Sequence, residues 1–152
     1  MDNTLALVTV CFNSESTIRE TLDSVRNQIM KPDEYIIIDG GSKDATLEII
    51  KEYSDIVTKI VSEPDEGIYD AMNKGVKLAK ADIIGLLNSD DTYIDAYVLH
   101  RVKSCFSREV SIFCGGVNYV DSAAKIRREW QLETEKINIQ QGWHPPHPAF
   151  FA

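Results

Sequence analysis

The sequence predicts an α/β protein with a doubly wound, mostly parallel β-sheet, helices on both faces and an antiparallel addition near the C-terminus. Short apolar runs rich in β-branched residues alternate with amphipathic helical patterns, which is typical of βαβ units. The first run lacks the alternation of a half-exposed strand, as expected for a strand buried on both faces. Three runs end in polar residues, so ligand-suited side chains should share one edge of the sheet.

Strands and helices alternate through the N-terminal part of the chain. Four apolar runs predict the parallel strands, at 5–12, 35–38, 56–61 and the stretch that ends at Leu87. Apolar residues at helical spacing predict the helices between them, at 18–29, 45–53 and 68–80. Ile29 and Val76 are expected on the buried faces of the first and third helices. Asp44 or Ser42 is expected to cap the second.

The pattern changes after the fourth strand. Three later elements are predicted, a helix at 94–106, a strand-like stretch at 111–120 and a partner strand at 125–130. Gly115-Gly116 interrupts the strand-like stretch, and the turn-prone Asp121-Ser122 would join it to its partner as an antiparallel pair. Residues 133–141 are weakly patterned. Because no linker or repeat interrupts the chain, residues 1–152 are expected to form a single domain.

Composition excludes several classes of function. The formal net charge of −8 argues against nucleic acid or an anionic membrane surface as the main partner. Three cysteines without CxxC spacing indicate buried thiols in a reducing compartment rather than a zinc site. The N-terminus lacks the pattern of a signal peptide, and no apolar run reaches the length of a membrane span. We therefore expect a cytoplasmic protein.

Polar residues follow three of the predicted strands, at 13–15, 39–42 and 88–91. Helix capping would explain each group alone. In a parallel sheet, however, the carboxyl ends of strands share one edge, where open α/β sheets bind their ligands. Convergence of three such groups favours a binding cleft over independent caps.

The ligand chemistry of this cleft is suggested by the motifs that it lacks and by a pair of carboxylates. Gly40-Gly41 is not a dinucleotide fingerprint, and no phosphate-binding GxxxxGK[ST] loop is present. Asp90 and Asp91 would repel each other, and a bound cation would remove that repulsion. Oxygen ligands suit Mg²⁺ and Mn²⁺, which often bind through carboxylates and substrate phosphates. The sequence therefore suggests a metal-assisted reaction on a nucleotide-linked substrate.

Four motifs, in their order and spacing, resemble those of family 2 glycosyltransferases of the GT-A type, which build bacterial polysaccharides and glycoconjugates. The motifs are Val-Thr-Val-Cys-Phe-Asn at 8–13, Ile-Ile-Asp-Gly-Gly-Ser-Lys-Asp-Ala-Thr at 37–46, Ser-Glu-Pro-Asp-Glu-Gly-Ile-Tyr-Asp-Ala-Met-Asn-Lys-Gly at 62–75 and Leu-Asn-Ser-Asp-Asp at 87–91. The resemblance implies an inverting transfer of a sugar from a nucleotide diphosphate donor to an acceptor hydroxyl. The acceptor would be a saccharide or a lipid-linked molecule. Peripheral attachment to the inner face of the membrane and a homo-oligomer are both compatible with it.

The resemblance also implies roles for residues at the first two strand ends. Phe12, Asn13 and Glu15 would contact the nucleotide, as would Asp39 at the second strand end. The family commonly has a second Asp after that position, and it often reads the base. Gly40 stands there in this sequence, which leaves base recognition open.

The third strand end carries the implied metal site. The family's Asp-x-Asp motif falls on Asn88-Ser89-Asp90, so Asn88 replaces the first Asp and could bind a ribose or a metal-bound water. Asp90 and Asp91 would bind Mn²⁺ or Mg²⁺ and serve catalysis. His147 would be a third metal ligand or a diphosphate contact, with a loop histidine beside prolines as the alternative. Lys74 or Asn73, in the third helix, would reach the donor, and for Lys74 an exposed helix lysine is the alternative.

The resemblance implies that the general base lies in an acidic motif beyond the His147 segment. Residues 1–152 are therefore expected to hold the donor half of a truncated catalytic domain. Two further interpretations stay open, a nucleotidyltransferase and a catalytically incomplete nucleotide-sugar-binding module. The first usually has a glycine-rich basic loop after the first strand, and residues 12–16 contain neither glycine nor lysine.

Overall fold

A computed structural model describes residues 3–107, 109–132 and 145–152 of the chain. The strands are β1 (Leu5–Cys11), β2 (Glu34–Asp39), β3 (Lys59–Ser62), β4 (Ile83–Asn88), β5 (Phe113–Cys114), β6 (Val117–Val120), β7 (Ile126–Trp130) and β8 (Phe150–Phe151). The helices are α1 (Ile18–Arg26), α2 (Thr46–Lys51), α3 (Ile68–Leu78) and α4 (Val98–Cys105). Within these residues no helix is long and apolar enough to cross a bilayer. The weakly patterned stretch 133–141 and His144 lie outside the described residues.

The main sheet has six strands in the order β3-β2-β1-β4-β8-β5. Strands β1 to β4 are parallel to one another, with Cys11 opposite Asp39 and Val10 opposite Asn88. Strand β8 is antiparallel to both β4 and β5. The order of β2, β1 and β4 places three strands that end in polar residues side by side.

Helices cover both faces of this sheet. On one face, α1 and α2 pack against alternate residues of the central strands, such as Leu7 and Ile37. On the other face, α3 packs Ala71 and Met72 against the residues between them. All seven residues of β1 are buried, because helices cover both of its sides. The predicted doubly wound α/β class is confirmed.

Several predicted boundaries are wrong at the ends of helices. Helix α1 ends at Arg26, and Ile29 lies beyond it, 57% exposed, with its amide donating to the carbonyl of Ala96 at 2.8 Å. Helix α4 begins only at Val98, so Ile94 lies in the preceding loop and is 77% exposed. The contact of Ile29 with Ala96, in the loop before α4, depends on a distant part of the chain that helical spacing does not reveal.

The third helix faces the sheet with a different residue than predicted. Val76 is 40% exposed, whereas Gly75 lies directly against β1. A Cβ added at Gly75 would overlap the Cγ1 atom of Val8. The absence of a side chain therefore lets the helix approach the sheet closely, and the neighbouring valine turns outward.

The C-terminal strands form two separate additions. Strands β6 and β7 pair in antiparallel fashion as predicted, with Val117 opposite Trp130, but they form their own two-stranded sheet. The antiparallel addition to the main sheet comes instead from β8 and β5. Phe151 of β8 is buried and packs over Gly85 of β4, where an added Cβ would overlap the phenyl ring. This contact fixes the segment 145–149 beside the carboxyl end of β4.

Candidate functional site

The three polar strand ends meet at one edge of the sheet. The hydroxyl groups of Ser14 and Ser89 lie 2.8 Å apart and join the loops that follow β1 and β4. The amide of Asn13 donates to Oγ of Ser42 at 2.8 Å and joins the loops that follow β1 and β2. Because β1 lies between β2 and β4, the three loops form one continuous floor.

Two cavities open above this floor. The larger, of about 530 Å³, lies between the β1 and β4 ends, the loop before α3 and the first turns of α3. The smaller, of about 250 Å³, lies between the β4 end, the β6–β7 hairpin and the segment 145–148. Asn88 and Asp90 line both cavities. A ligand that spans the two would therefore pass over the end of β4.

Phe12 and Asn13 line the larger cavity from the β1 end. The Phe12 ring is 59% exposed, so its face is available for stacking. Asn13 adopts a left-handed conformation, with φ of 48°, and its Oδ1 accepts the Lys43 amide at 2.9 Å. In the same loop Oε2 of Glu15 accepts the Ala45 amide at 2.8 Å. Asn13 and Glu15 thus hold two loops together, and their predicted contacts with the nucleotide stay predictions.

Asp39 is fully buried at the end of β2, with an exposed fraction of 0%. Its carboxylate accepts the amides of Gly41 and Ser42, both at 3.1 Å, and the hydroxyls of Ser42 and Ser62, the latter at 2.6 Å. The thiol of Cys11 also lies 3.7 Å from Oδ1. These interactions are those of a residue that shapes the loop, and a direct contact with the nucleotide stays a prediction.

Of the two predicted caps of α2, Ser42 does not act as one, because its hydroxyl donates to Asp39. Asp44 instead accepts the Thr46 amide at 3.1 Å and the Thr46 hydroxyl at 2.6 Å. It also accepts the amide of Glu15 at 3.1 Å. Asp44 therefore serves both the start of α2 and the junction of the β1 and β2 loops.

The β4 end carries the predicted metal site. Burial, and next the charge of Asp90, raise the pKa of the Asp91 carboxyl above its ordinary value. Nδ2 of Asn88 donates to Oδ2 of Asp91 at 3.0 Å. Oδ1 of Asn88 is buried and accepts no hydrogen bond from the described part of the chain. A divalent cation would relieve both the carboxylate repulsion and the unmet acceptor, so these oxygen atoms fit Mg²⁺ or Mn²⁺.

His147 lines the smaller cavity together with Asp90 and Asp91. Its ring stands edge-on to Tyr69, with the ring centroids 6.1 Å apart. Among residues 3–107, 109–132 and 145–152, no group of three His, Cys, Asp or Glu side chains is arranged to hold a metal ion. The role of His147 as a third metal ligand therefore stays a prediction. The structure adds that His147 lines the smaller cavity.

Lys74 holds the loop before α3 to the helix. Its Nζ lies 3.1 Å from Oε1 of Glu63, 3.1 Å from the carbonyl of Pro64 and 3.2 Å from Oδ2 of Asp70. The hydrogen bond to Glu63, partly offset by burial and reinforced by Asp70, raises the pKa of the Lys74 ammonium. Its predicted contact with the donor stays a prediction.

Asp65, Tyr119 and Trp130 are among the cavity residues that were not singled out as site residues from the sequence. Asp65 lines the larger cavity, and Tyr119 and Trp130 line the smaller one. Alternation along β6 would have placed Val117 and Tyr119 on one face, but only the position of the hairpin shows that this face meets the cavity. Asp65 lies within a recognised motif, yet no spacing rule links it to the β2 end.

The comparisons with known proteins agree with this architecture. EpsH of Bacillus subtilis, named as a glycosyltransferase, is 36% identical over 112 residues, covering 72% of this chain and 33% of that protein. TarS 1–349 of S. aureus, solved in complex with UDP-GlcNAc, is 25% identical with a TM-score of 0.60, covering 66% of this chain and 30% of that one. The chain thus spans about a third of the length of these proteins.

A third similarity shows the fold. The mannosyltransferase PcManGT from Pyrobaculum calidifontis, solved with GDP-Man and Mn²⁺, has a TM-score of 0.64 at 21% identity, covering 80% of this chain and 36% of that one. The family model described as Glycosyl transferase family 2 matches residues 6–150. The predicted GT-A type of fold and the resemblance seen in the sequence are both confirmed, and the chain belongs to glycosyl transferase family 2.

Proposed function

We propose that this chain binds a nucleotide diphosphate sugar and takes part in an inverting transfer of the sugar to an acceptor hydroxyl in polysaccharide or glycoconjugate biosynthesis. The observation that carries the proposal is Asp90 at the junction of two cavities, next to Asp91, which lines the smaller one. Membership of glycosyl transferase family 2 supports the reaction class. The likeness to TarS, solved with UDP-GlcNAc, supports UDP as the first nucleotide to test.

The two cavities suit the two parts of such a donor. The larger one has an exposed aromatic ring, Phe12, against which a base can stack. The smaller one is lined by Tyr119, Trp130 and His147, and aromatic faces suit the apolar faces of sugar rings. The diphosphate would then lie between them, above Asn88 and Asp90.

Asp90, Asp91 and Asn88 would hold a divalent cation at the end of β4. The bound cation would supply positive charge that neutralises the departing diphosphate. Asn88 holds the Asp91 carboxylate in place through its amide, and the buried carbonyl oxygen of Asn88 accepts no hydrogen bond from the described residues. The loops after β1 and β2 fix this end of the sheet, because Ser14 joins Ser89 and Asn13 joins the β2 loop.

Calorimetric titration with UDP, with and without Mn²⁺, tests the proposed site. We expect Mn²⁺ to raise the affinity at least about tenfold, which corresponds to ~1.4 kcal/mol. Asp90→Ala and Asp91→Asn should abolish this increase, because each removes a carboxylate from the cation. Glu48→Gln is the matched control, since Glu48 is an exposed carboxylate of α2. UDP binding that ignores both the metal and Asp90→Ala would refute the metal site.

A second assay separates a transferase from a binding module. UDP release from UDP-GlcNAc is measured in the presence of saccharide acceptors, with wild type and Asp90→Ala compared. Turnover that requires Asp90 supports the transferase. Metal-dependent binding without turnover supports the nucleotide-sugar-binding module instead.

A further inference from the structure

Gly40 lies beside the larger cavity, and the side chain of another residue occupies the space that its own side chain would take. The position follows Asp39 directly at the end of β2, and it has no side chain of its own. A Cβ built on Gly40 would lie 2.6 Å from Oδ2 of Asp65 and 3.3 Å from Cδ2 of Phe12. The Asp65 carboxylate therefore reaches, from a different loop, the place to which a side chain at position 40 would point.

Asp65 is held in this place by its own loop. Oδ1 accepts the amide of Gly67 at 2.9 Å, and Gly67 adopts a positive φ of 115° that turns the chain into α3. Lys74 fastens the same loop through the carbonyl of Pro64 and the carboxylate of Glu63. Within the described ranges no protein group donates to Oδ2 of Asp65. One oxygen thus fixes the side chain, and the other is available to a ligand.

The available oxygen lies beside Gly40, in the same region as the Phe12 ring. Phe12 and Asp65 both line the larger cavity, and atoms of both lie within 3.3 Å of the position that a Cβ at Gly40 would occupy. A base stacked on the ring would therefore present its edge toward the carboxylate. A carboxylate only accepts hydrogen bonds, so it favours an edge that carries an N–H.

We propose that Asp65 is the residue that selects the base of the nucleotide, and that it selects a base with a ring N–H. This inference rests on the proposed function. Uracil N3–H and guanine N1–H are such donors. Cytosine N3 and adenine N1 are acceptors, which would leave a buried acceptor facing the carboxylate. Gly40 makes this position of Asp65 possible, because only a residue without a side chain leaves room for the carboxylate.

The test measures the affinities of UDP, GDP, CDP and ADP in the presence of Mn²⁺. Wild type should bind UDP or GDP most tightly. Asp65→Ala should weaken binding of that nucleotide about tenfold or more while CDP and ADP change little. Asp65→Asn should shift preference toward CDP, because its amide can donate to cytosine N3. A purely structural Asp65 would not move this preference.

A swap of the carboxylate between the two loops adds an independent readout. Gly40→Asp alone should weaken binding, because two carboxylates then compete for one place. Gly40→Asp combined with Asp65→Ala should restore a preference for the N–H base lost in Asp65→Ala. Glu66→Gln is the matched control, since Glu66 is the exposed neighbouring carboxylate. Thermal unfolding of each variant verifies that it is folded.

The possible outcomes separate this inference from the function on which it rests. Failure of wild type to bind any of the four nucleotides overturns both. Tight wild-type binding that prefers CDP or ADP overturns the role of Asp65 and leaves nucleotide binding intact. The same holds if Asp65→Ala weakens all four nucleotides equally or none of them.

Discussion

Asp39 shows how a polar residue at a strand end can serve the fold before it serves a ligand. Its fully buried carboxylate accepts hydrogen bonds from the amides of Gly41 and Ser42 and from the hydroxyl of Ser62. Hydrogen bonds to a charged acceptor are stronger than those between neutral groups. The charge is thereby compensated, and the β2 loop is fixed in the shape that places Gly40 beside Asp65 and Phe12.

Removal of this carboxylate should therefore destabilise the protein strongly. We expect Asp39→Ala to lower the free energy of unfolding by about 3 kcal/mol, because two amides and two hydroxyls lose their shared acceptor at once. Ser62→Ala, which deletes one donor, should cost about 1 kcal/mol. Urea unfolding followed by circular dichroism measures both. Equal effects of the two substitutions would contradict the central role of Asp39.

Residue types at the site were predictable, but their orientations were not. Polar side chains after β1, β2 and β4 follow from the pattern of the sequence and from the shared edge of a parallel sheet. Asn13 and Asp39 nevertheless turn into neighbouring loops, because their partners are amides that only the folded backbone brings close. Asp65 was missed for the same reason, since its neighbour Gly40 belongs to a different loop.

Helix α3 shapes the cavity because it lies unusually close to the sheet. Gly75 contacts Val8 without an intervening side chain, and the same helix brings Ile68 and Ala71 to the larger cavity. Its loop also carries Asp65. The distance between α3 and β1 therefore controls the width of the cavity in which the nucleotide is proposed to bind.

Gly75→Ala should disturb this packing. The added methyl group overlaps Cγ1 of Val8, and overpacking of this kind costs about 1–3 kcal/mol, despite the better helix propensity of alanine. Val76→Ala, one residue on and exposed, should change the free energy of unfolding by less than about 0.5 kcal/mol. Chemical denaturation of both variants provides the measurement.

A compensating substitution sharpens this prediction. Val8→Ala removes the atoms that the new methyl group would meet, so the double variant with Gly75→Ala should be more stable than the sum of the single effects implies. Strict additivity would show that the two residues do not interact through this contact.

The elements themselves were predictable to different degrees. Continuous apolar runs identified β1, β2 and β4, because a strand buried on both faces needs apolar residues on both. Helix ends were harder, since the exposed Ile29 and Ile94 continue an apolar spacing that loop contacts interrupt. The pairing of β6 with β7 followed from turn residues. Its separation from the main sheet depends on packing that local patterns do not encode.

At the scale of the whole molecule, the site is built from distant parts of the chain. The N-terminal βαβ units supply the floor and the larger cavity, whereas the hairpin and segment 145–148 supply the walls of the smaller one. Phe151 joins the two parts, because it is buried against Gly85 and stands edge-on to Phe113, with centroids 6.2 Å apart. The position of His147 thus depends on a contact four residues away in the sequence.

Substitutions of Phe151 should distinguish the contributions of the two cavities to binding. Loss of a fully buried phenyl ring is expected to cost about 3–5 kcal/mol in the free energy of unfolding, whereas Phe151→Leu should cost less than about 1.5 kcal/mol. Where Phe151→Leu remains folded, UDP affinity should stay within about twofold of wild type, because the larger cavity is formed by β1, β4 and α3. The contribution of the sugar to binding, measured as the ratio of the affinity for UDP-GlcNAc to that for UDP, should fall. The reason is that segment 145–148 loses part of its packing support. A parallel loss of UDP affinity would instead mean that the larger cavity also depends on the C-terminal strand.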